Sequence, residues 1–198
     1  PAGLSQVLVR IPAAASHLNA LTVAESLVED ISARDGVLSA AVGPTPVIDG
    51  SDWTTRHLRV DGSPVVLSES LEMVYGSPGY FRTLRPSQLE GRDFGPQDRS
   101  DWGRGLVAIV NEAAVRVLWP GVVPLGRRLV LEEFVFQAEP VSGLRTTCTN
   151  VPSQPTPVCS HPVRVAETTV IGILDDMVLR RIGETPRPTV YLPLSQWR

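Results

Sequence analysis

The sequence predicts an α+β fold in which strands outnumber helices. Short runs of β-branched and apolar residues recur along the chain, few stretches have helical periodicity, and turn-forming residues are frequent. The 198 residues include 18 prolines and 16 glycines, which favours many short elements over a helical bundle. This length allows one large domain or two small interlocked ones, with an ordinary hydrophobic fraction of 42%.

The first 42 residues predict a strand, a helix and a second strand. Alternating apolar residues at 6–11 favour the first strand. Residues 18–34 carry an apolar stripe at helical spacing, and Gly36 is well placed to end that helix. Residues 37–42 read as a further short strand, so this region predicts a βαβ-like or split βαβ unit.

The middle of the chain predicts a hairpin and a short helix. Residues 55–60 and 65–75 read as strands around a turn at Asp61-Gly62. Residues 77–84 predict a short helix with Pro78 in its first turn. The following residues, 86–105, are expected to be mostly loop.

The second half adds a strand–helix pair and three more strands. An apolar run at 106–110 leads into a helix with Asn111 as its N-cap, which ends near Trp119. Residues 127–131, 168–174 and 189–192 predict strands, and 133–166 is expected to be a long loop insert.

The only two cysteines, Cys148 and Cys159, lie within this insert with ten residues between them. Their spacing is compatible with a local disulfide, which would stabilise by roughly 3 kcal/mol in the loop-entropy model and would require an oxidising compartment. Two free thiols are the alternative. A metal site with the neighbouring His161 is not expected, because one loop would supply every ligand.

The sequence offers no set of catalytic residues, so no enzyme activity, cofactor or metal is expected. Every basic residue is arginine, which excludes the lysine of a phosphate-binding loop and Schiff-base chemistry. The three histidines, His17, His57 and His161, are far apart and have no ligand at metal-binding spacing. The acidic pair Asp175-Asp176 is expected at a solvated strand end. A net charge of −3 without a basic block argues against a nucleic-acid partner.

The chain also shows no segment suited to cross a membrane. Its longest apolar stretch, 106–123, is interrupted by Asn111, Glu112, Arg116 and Pro120. The chain begins at Pro1 without an initiator methionine or a signal peptide. We therefore expect an excised piece or a mature product of a longer protein.

A series of short motifs combines aromatic residues, glycines, prolines and arginines in a fixed order. Each is expected to have a structural role in turns and in the core. The motif residues are Tyr80, Phe81, Gly91, Arg92, Asp93, Phe94, Asn111, Glu112, Trp119, Pro120, Pro124, Gly126, Arg127 and Pro193.

In this order and spacing the motifs resemble the periplasmic core domain of MacB-type ABC transporter permeases, within the FtsX-like permease group. The matching segments are 78–81, 91–98, 107–129, 169–176 and 190–196. The resemblance implies a porter-like split βαβ subdomain, residues 1–94 plus 184–198, with a smaller mixed α/β (sabre-like) subdomain inserted at 95–183. Both ends of the chain would then lie close together and point at the membrane.

The same resemblance implies a non-catalytic, membrane-anchored domain on the periplasmic side of the inner membrane. ATP would bind a separate nucleotide-binding subunit or domain, and the domain would transmit the resulting movement in efflux, lipoprotein release or a related mechanical task. The implied partners are the protein's own transmembrane helices, a second permease copy and the ABC ATPase. A periplasmic adaptor and an outer-membrane channel are further candidate partners. The alternative is an extracytoplasmic sensor that binds a ligand in a pocket lined by Trp53, Trp102 and Trp119.

Overall fold

The described part of the chain is α+β, as the sequence predicts, and strands outnumber helices. A computed structural model describes residues 17–43, 54–98, 105–137, 147–149, 158–177 and 185–196. The elements are α1 His17–Ser32, β1 Thr54–Val60, β2 Ser63–Gly76, α2 Tyr80–Leu84, β3 Leu89–Gly91, β4 Leu106–Asn111, α3 Glu112–Leu118, β5 Arg128–Gln137, β6 Thr147–Thr149, β7 Val158–Leu174 and β8 Thr189–Pro193. Short 3₁₀ turns lie at Pro96–Asp98 and Leu194–Gln196.

The first helix agrees with its predicted range, but the strand predicted after it does not form. Residues 37–43 are described and belong to no strand. Instead, the Ser77 N–H donates to the Val42 carbonyl oxygen at 2.8 Å. The Val42 N–H donates to the Ser77 hydroxyl at 2.9 Å. A side-chain oxygen thus takes the place of the backbone partner that a ladder would supply. The strand predicted at 6–11 lies outside the described residues.

The hairpin of β1 and β2 forms as predicted. Asp61 and Gly62 have φ angles of 49° and 86°, positive at both central positions as a type I′ turn requires. The helix after the hairpin is shorter than predicted. Gly79 is left-handed with a φ of 79°, so α2 begins at Tyr80 and Pro78 precedes the helix.

The region predicted as loop at 86–105 contains short elements in its described part. β3 pairs antiparallel with β7, with Leu89 opposite Leu174 and Gly91 opposite Gly172. A three-residue strand has no room for a periodic pattern, so the sequence gives no sign of it.

The insert at 133–166 is wrongly predicted as a long loop where the structure describes it. β5 continues to Gln137 and pairs antiparallel with β7, which already begins at Val158. β6 pairs with the other edge of β7. We call the strand residues between 133 and 166, which belong to β5, β6 and the first part of β7, the outer ribbon. Backbone pairing defines this ribbon, and a composition rich in proline and threonine carries no signal of that pairing.

The described strands form one mixed sheet that closes on itself. The order is β3-β7-β4-β8-β2-β1-β5, and β5 also pairs with β7, which completes a ring. The β2–β8 and β4–β7 pairs are parallel and the others antiparallel. Strands from both predicted subdomains lie in this sheet, since β8 pairs with β2 and with β4. The division at residues 94/95 and 183/184 stays a prediction.

Two groups of buried side chains lie on opposite faces of the central strands. On β4, Ala108 and Val110 belong to one group, whereas Val107 and Ile109 belong to the other. Side chains alternate between the two faces of a strand, so β4 is buried on both. The first group contains Trp119 and residues of β1, β5 and β8, and the second contains the aromatic residues of α2. This double burial explains the continuous apolar run at 106–110.

Candidate functional site

The loop at residues 91–98 is held to β7 through its first glycine. Gly91 has a φ of 84°, and a Cβ atom there would overlap the backbone carbonyl oxygen of Ile171. The next N–H, that of Arg92, donates to the same Ile171 oxygen at 3.0 Å. Only glycine combines this conformation with so close an approach to the neighbouring strand.

Arg92 binds Asp98 across this loop through two hydrogen bonds. Its Nη1 and Nη2 atoms lie 2.7 and 2.8 Å from the two carboxylate oxygens. The Gly95 N–H donates to the same carboxylate at 2.8 Å. The Asp98 side chain is only 4% exposed, while that of Arg92 is 44% exposed. Bidentate pairing fixes geometry as well as charge, so the loop is held closed from within.

The electrostatics of this pair follow from its contacts. Burial raises the pKa of Asp98, but the Arg92 guanidinium and the Gly95 N–H outweigh it and hold this pKa below its usual value. The hydrogen bond to Asp98 raises the pKa of Arg92. Asp98 is therefore ionised at neutral pH and serves as an anchor, not as an acid or base.

The same loop holds the C-terminal 3₁₀ turn. The buried Gln196 donates from Nε2 to the backbone carbonyl oxygen of Asp98 at 3.2 Å. Arg92, Asp98 and Gln196 thus connect the end of the described chain, through the 91–98 loop, to β7. We call these three residues the Arg92 latch.

An aromatic cluster lies beside the latch and joins α2 to β8. The Phe81 ring contacts Tyr191 edge-on, with ring centroids 5.0 Å apart at an angle of 87°. Phe94, from the latch loop, lies 5.8 Å from Phe81. Its N–H donates to the Asp93 carboxylate at 2.6 Å. The loop that carries the latch therefore packs against the aromatic core on this face of the sheet.

Tyr80 fills a slot between two glycines. A Cβ atom at Gly43 or at Gly76 would overlap the Tyr80 ring. Burial raises the pKa of Tyr80 to about 12. The aromatic pair of the motif thus has two structural roles, since Tyr80 closes one edge of the core and Phe81 lies at its centre.

An open groove runs along the outside of this cluster. It has a volume of about 770 Å³ and is lined by Phe81, Phe94, Arg82, Arg85 and Asp93, among others. Burial raises the pKa of Asp93. The groove combines an apolar floor with two exposed guanidinium groups and one carboxylate.

No protein-family model and no curated protein matches the chain by sequence. Its structure is similar to the periplasmic region of MacB from Actinobacillus actinomycetemcomitans, with a TM-score of 0.50 and 15% sequence identity. The chain has the fold of that periplasmic region. The similarity covers 87% of this chain and 55% of the MacB region, so the chain spans little more than half of its length.

A second solved structure is similar over a comparable range. It is the extracellular domain of the noncanonic ABC-type transporter YknZ from Gram-positive bacteria, with a TM-score of 0.42 and 14% identity. This similarity covers 86% of the present chain and 62% of that domain. The MacB comparison alone confirms, at the level of the fold, the resemblance that the motifs indicate.

Within the MacB-type fold, Asn111 joins three backbone segments. It caps α3 as predicted, since its Oδ1 accepts from the Ala114 N–H at 3.0 Å. The same oxygen accepts from Thr189 N–H at 2.8 Å, and Nδ2 donates to the Arg187 carbonyl oxygen at 2.8 Å. The neighbouring Glu112 is exposed and lies 3.8 Å from Arg116. Asn111 therefore ties the start of β8 to the end of β4.

The acidic pair after β7 is not the solvated strand end that its sequence suggests. Asp175 accepts from the Ser87 N–H at 3.0 Å. Asp176 accepts from the Ala113 N–H at 2.7 Å and from Arg116 at 2.6 Å. A carboxylate at the first turn of α3 interacts favourably with the free N–H groups there.

The remaining motif residues shape the turn between α3 and β5. Trp119 is buried in the core inside the ring, and Pro124 is buried while Pro120 is exposed. The N–H of Gly126, whose φ is 78°, donates to the Val170 carbonyl oxygen at 2.8 Å. Arg127 binds Asp61 of the β1–β2 turn at 2.7 Å. Elsewhere, Pro193 ends β8 opposite Gly76.

The structure brings together some of the predicted residues and adds partners that were missed. The latch loop and the Tyr80-Phe81 pair lie in one cluster, while Asn111 and Arg127 belong to separate contacts. Asp98 and Gln196 were not singled out, and Asp61 was predicted only as a turn residue, not as the partner of Arg127. Asp98 and Gln196 close the motif segments 91–98 and 190–196, and that position was the available signal.

Two expected absences concern metals and membranes. Among the described residues, no three His, Cys, Asp or Glu side chains are grouped as a metal site would need. No described helix is long and apolar enough to cross a membrane. The side chains of His17, His57 and His161 and the residues Trp53 and Trp102 lie outside the described part of the chain.

Proposed function

We propose that this chain is the extracytoplasmic domain of an ABC transporter permease that transmits ATP-driven movement without catalysing a reaction itself. The observation that carries the proposal is the MacB-type fold, found over 87% of the chain. The ordered motifs support it, because their order and spacing resemble those of MacB-type permeases. The domain would lie on the periplasmic side of the membrane, anchored by the transmembrane helices of its parent.

The Arg92 latch suits such a task. A domain that transmits movement must be stiff where force enters it, because a mobile connection would absorb the displacement. Gln196 lies at the end of the described chain and is bound to the 91–98 loop, which is bound in turn to β7. In this proposal the displacement of the parent's transmembrane helices reaches the sheet through the latch.

The partners follow from the same proposal. ATP would be hydrolysed by a separate nucleotide-binding subunit or domain, and two permease copies would move together. Efflux, lipoprotein release and related mechanical tasks are all compatible with this role. In efflux, an adaptor or an outer-membrane channel would be an additional partner.

A sensor that binds a small molecule is the second candidate, because one specific feature favours it. The groove beside Phe81 has the volume of a small-molecule site and carries charged groups at Arg82, Arg85 and Asp93. It does not use Trp119, which is buried in the core of the ring, so the predicted tryptophan-lined pocket does not describe it.

Spin labels on the parent permease test the proposal. Val117 on α3 is 47% exposed, so Val117→Cys offers one label per copy once Cys148, Cys159 and any cysteine of the parent outside this chain are replaced by serine. We expect the distance between the two labels to change when the ATPase is trapped with nucleotide. An unchanged distance in an actively hydrolysing complex would contradict the transmission role.

The latch itself is tested by Asp98→Asn in the same labelled protein. We expect ATP hydrolysis to persist while the label distance responds less to nucleotide, because the connection at Gln196 is loosened. Asp61→Asn is the matched control, since it weakens another arginine–carboxylate pair away from the C-terminal turn. A saturable thermal shift with a small metabolite, lost on Arg82→Ala, would instead support the sensor.

A further inference from the structure

The outer ribbon places the two cysteines opposite each other. In the antiparallel pairing of β6 and β7, Cys148 is the register partner of Cys159, flanked by the pairs Thr147–Ser160 and Thr149–Val158. Directly opposed residues on antiparallel strands have Cα atoms about 4.5–5.5 Å apart. Disulfides span Cα separations of about 4.4–6.8 Å. The backbone register therefore meets the distance requirement for a bond.

The pairing of β6 with β7 is expected to be weak without a crosslink. β6 has three residues, and within the described part of the chain it pairs with β7 alone. So short a strand is marginal by itself. The eight residues between the two strands include Pro152, Pro155 and Pro157, whose nitrogens cannot donate to a ladder. Backbone pairing alone gives this hairpin little stability.

We infer that Cys148 and Cys159 form a cross-strand disulfide that fixes the register of β6 on β7. Formation by exchange balances with a donor disulfide, such as oxidised glutathione or a disulfide oxidoreductase. One cysteine thiolate attacks the donor disulfide, forms a mixed disulfide and releases the first thiol; the second thiolate then attacks the cysteine sulfur of that mixed disulfide, forms the Cys148–Cys159 bond and releases the second thiol. The two cysteines lose two electrons and two protons, and the donor is reduced to two thiols. The inference rests on the register alone and does not depend on the proposed function.

Peptide mass spectrometry decides whether the bond forms. Trypsin cleaves after Arg145 and Arg164, with no lysine or arginine between them, so both cysteines fall in one peptide, 146–164. The purified chain is oxidised with glutathione disulfide, alkylated under denaturing conditions and digested. We expect this peptide to be two hydrogen atoms lighter than its reduced form and free of alkyl groups. Alkylation at both cysteines, stable glutathione adducts or a disulfide-linked dimer would each overturn the inference.

A register-shifted variant tests whether the ribbon specifies the bond. Cys148→Ser combined with Thr149→Cys keeps two cysteines but moves one of them opposite Val158. Because a shift of one residue also exchanges the faces of the strand, we expect the oxidised fraction at a fixed glutathione ratio to fall about ten-fold or more. Equal oxidation of the two proteins would contradict the role of the register. Circular dichroism of both reduced proteins checks that the shifted variant is folded.

Amide hydrogen exchange then reports what the bond does. Oxidation should slow exchange at 147–149 and 158–160 by about ten-fold or more, because opening of the hairpin becomes costlier. The double variant Cys148→Ser/Cys159→Ser should be insensitive to oxidant. Exchange in these segments that is the same in the oxidised and reduced wild-type protein would show that the bond does not staple the ribbon.

Discussion

Two turns of this molecule contain the same Gly-Arg pair, but the carboxylates that the two arginines bind differ in burial. In each, a glycine with positive φ precedes an arginine that binds a carboxylate at 2.7 Å: Gly91-Arg92 with Asp98, and Gly126-Arg127 with Asp61. The Asp98 side chain is 4% exposed, whereas that of Asp61 is 36% exposed. Asp98 also accepts from Gly95, and its backbone holds Gln196.

The comparison teaches that burial of the partner, not the motif, determines what such a pair contributes. An exposed ion pair competes with water and is worth little. A buried carboxylate depends on its cation and its N–H donors, and removal of either leaves an expensive unpaired group. We therefore expect the Arg92 latch to be sensitive to substitution and the Arg127 turn to tolerate it.

The largest contrast is expected between the two glycines. Gly91→Ala combines left-handed strain with overlap against the Ile171 carbonyl oxygen, a backbone atom that cannot move aside. We expect it to lower the free energy of unfolding by about 3 kcal/mol or more. Gly126→Ala should cost about 1 kcal/mol, because its φ is also positive but no described atom lies within 4 Å of the new Cβ. Urea denaturation measures both. Equal losses would mean that the approach to β7 does not matter.

The carboxylates provide the next contrast. Asp98→Asn removes the charge that Arg92 and Gly95 bind, and it should cost about 2 kcal/mol, a value moderated by the exposure of Arg92. Asp61→Asn should cost less than about 1 kcal/mol. Asparagine is a suitable replacement there, because it tolerates the left-handed conformation that Asp61 adopts with a φ of 49°. A loss at Asp61 as large as that at Asp98, in the same denaturation series, would contradict the comparison.

The sequence predicts the position of Asp61 better than that of Asp98. The Asp61-Gly62 turn is evident from its flanking strands, because a type I′ turn has a strong local signal. The partner of Arg92 is not evident. Asp93 is adjacent and Asp98 is six residues away, and only the left-handed turn at Gly91 and the 3₁₀ turn at Pro96–Asp98 bring the latter into reach.

The same limit applies to the rest of the fold. The apolar run of β4 and the cap at Asn111 are local signals, and both were predicted. The closure of the sheet by β5 and β7, the ribbon beyond Gln137 and the contact of Gln196 depend on pairing between distant segments. Periodicity describes which faces of a strand are buried, but it does not specify the neighbouring strand or the register.

Acid should remove the contrast between the carboxylates. The pKa of Asp98 is held below its ordinary value of 3.8, so its ionised form stabilises the fold above that value. This contribution is lost as the pH falls from about 3.8 through the lower folded-state pKa. We expect the stability difference between the wild type and Asp98→Asn to shrink over this range. A difference that stays constant below pH 3.8, measured by thermal denaturation, would show that the charge of Asp98 is not what stabilises the loop.

The stability of the wild type must be compared with that of Asp98→Asn, because a fall in pH changes the stability contribution of Asp93 in the opposite direction. Burial raises the pKa of Asp93, so protonation of this group favours the folded state as the pH falls. Asp93 is present in both proteins, and its effect largely cancels in their difference.

The smallest effect is expected at Arg127. Arg127→Met keeps the apolar stem of the side chain but removes its bonds to Asp61 and to the Val123 carbonyl oxygen. We expect a loss of about 0.5 kcal/mol at low salt, because both partners are exposed to solvent. At about 1 M salt the Debye length falls to about 3 Å, and the difference from the wild type should become smaller still.

Arg92→Met is the matched control. It leaves Asp98 buried without its cation, and its larger loss should persist at high salt, since a buried charge is poorly screened. A salt-sensitive loss at Arg92, in paired urea titrations at the two salt concentrations, would place the latch in the same class as the exposed turn.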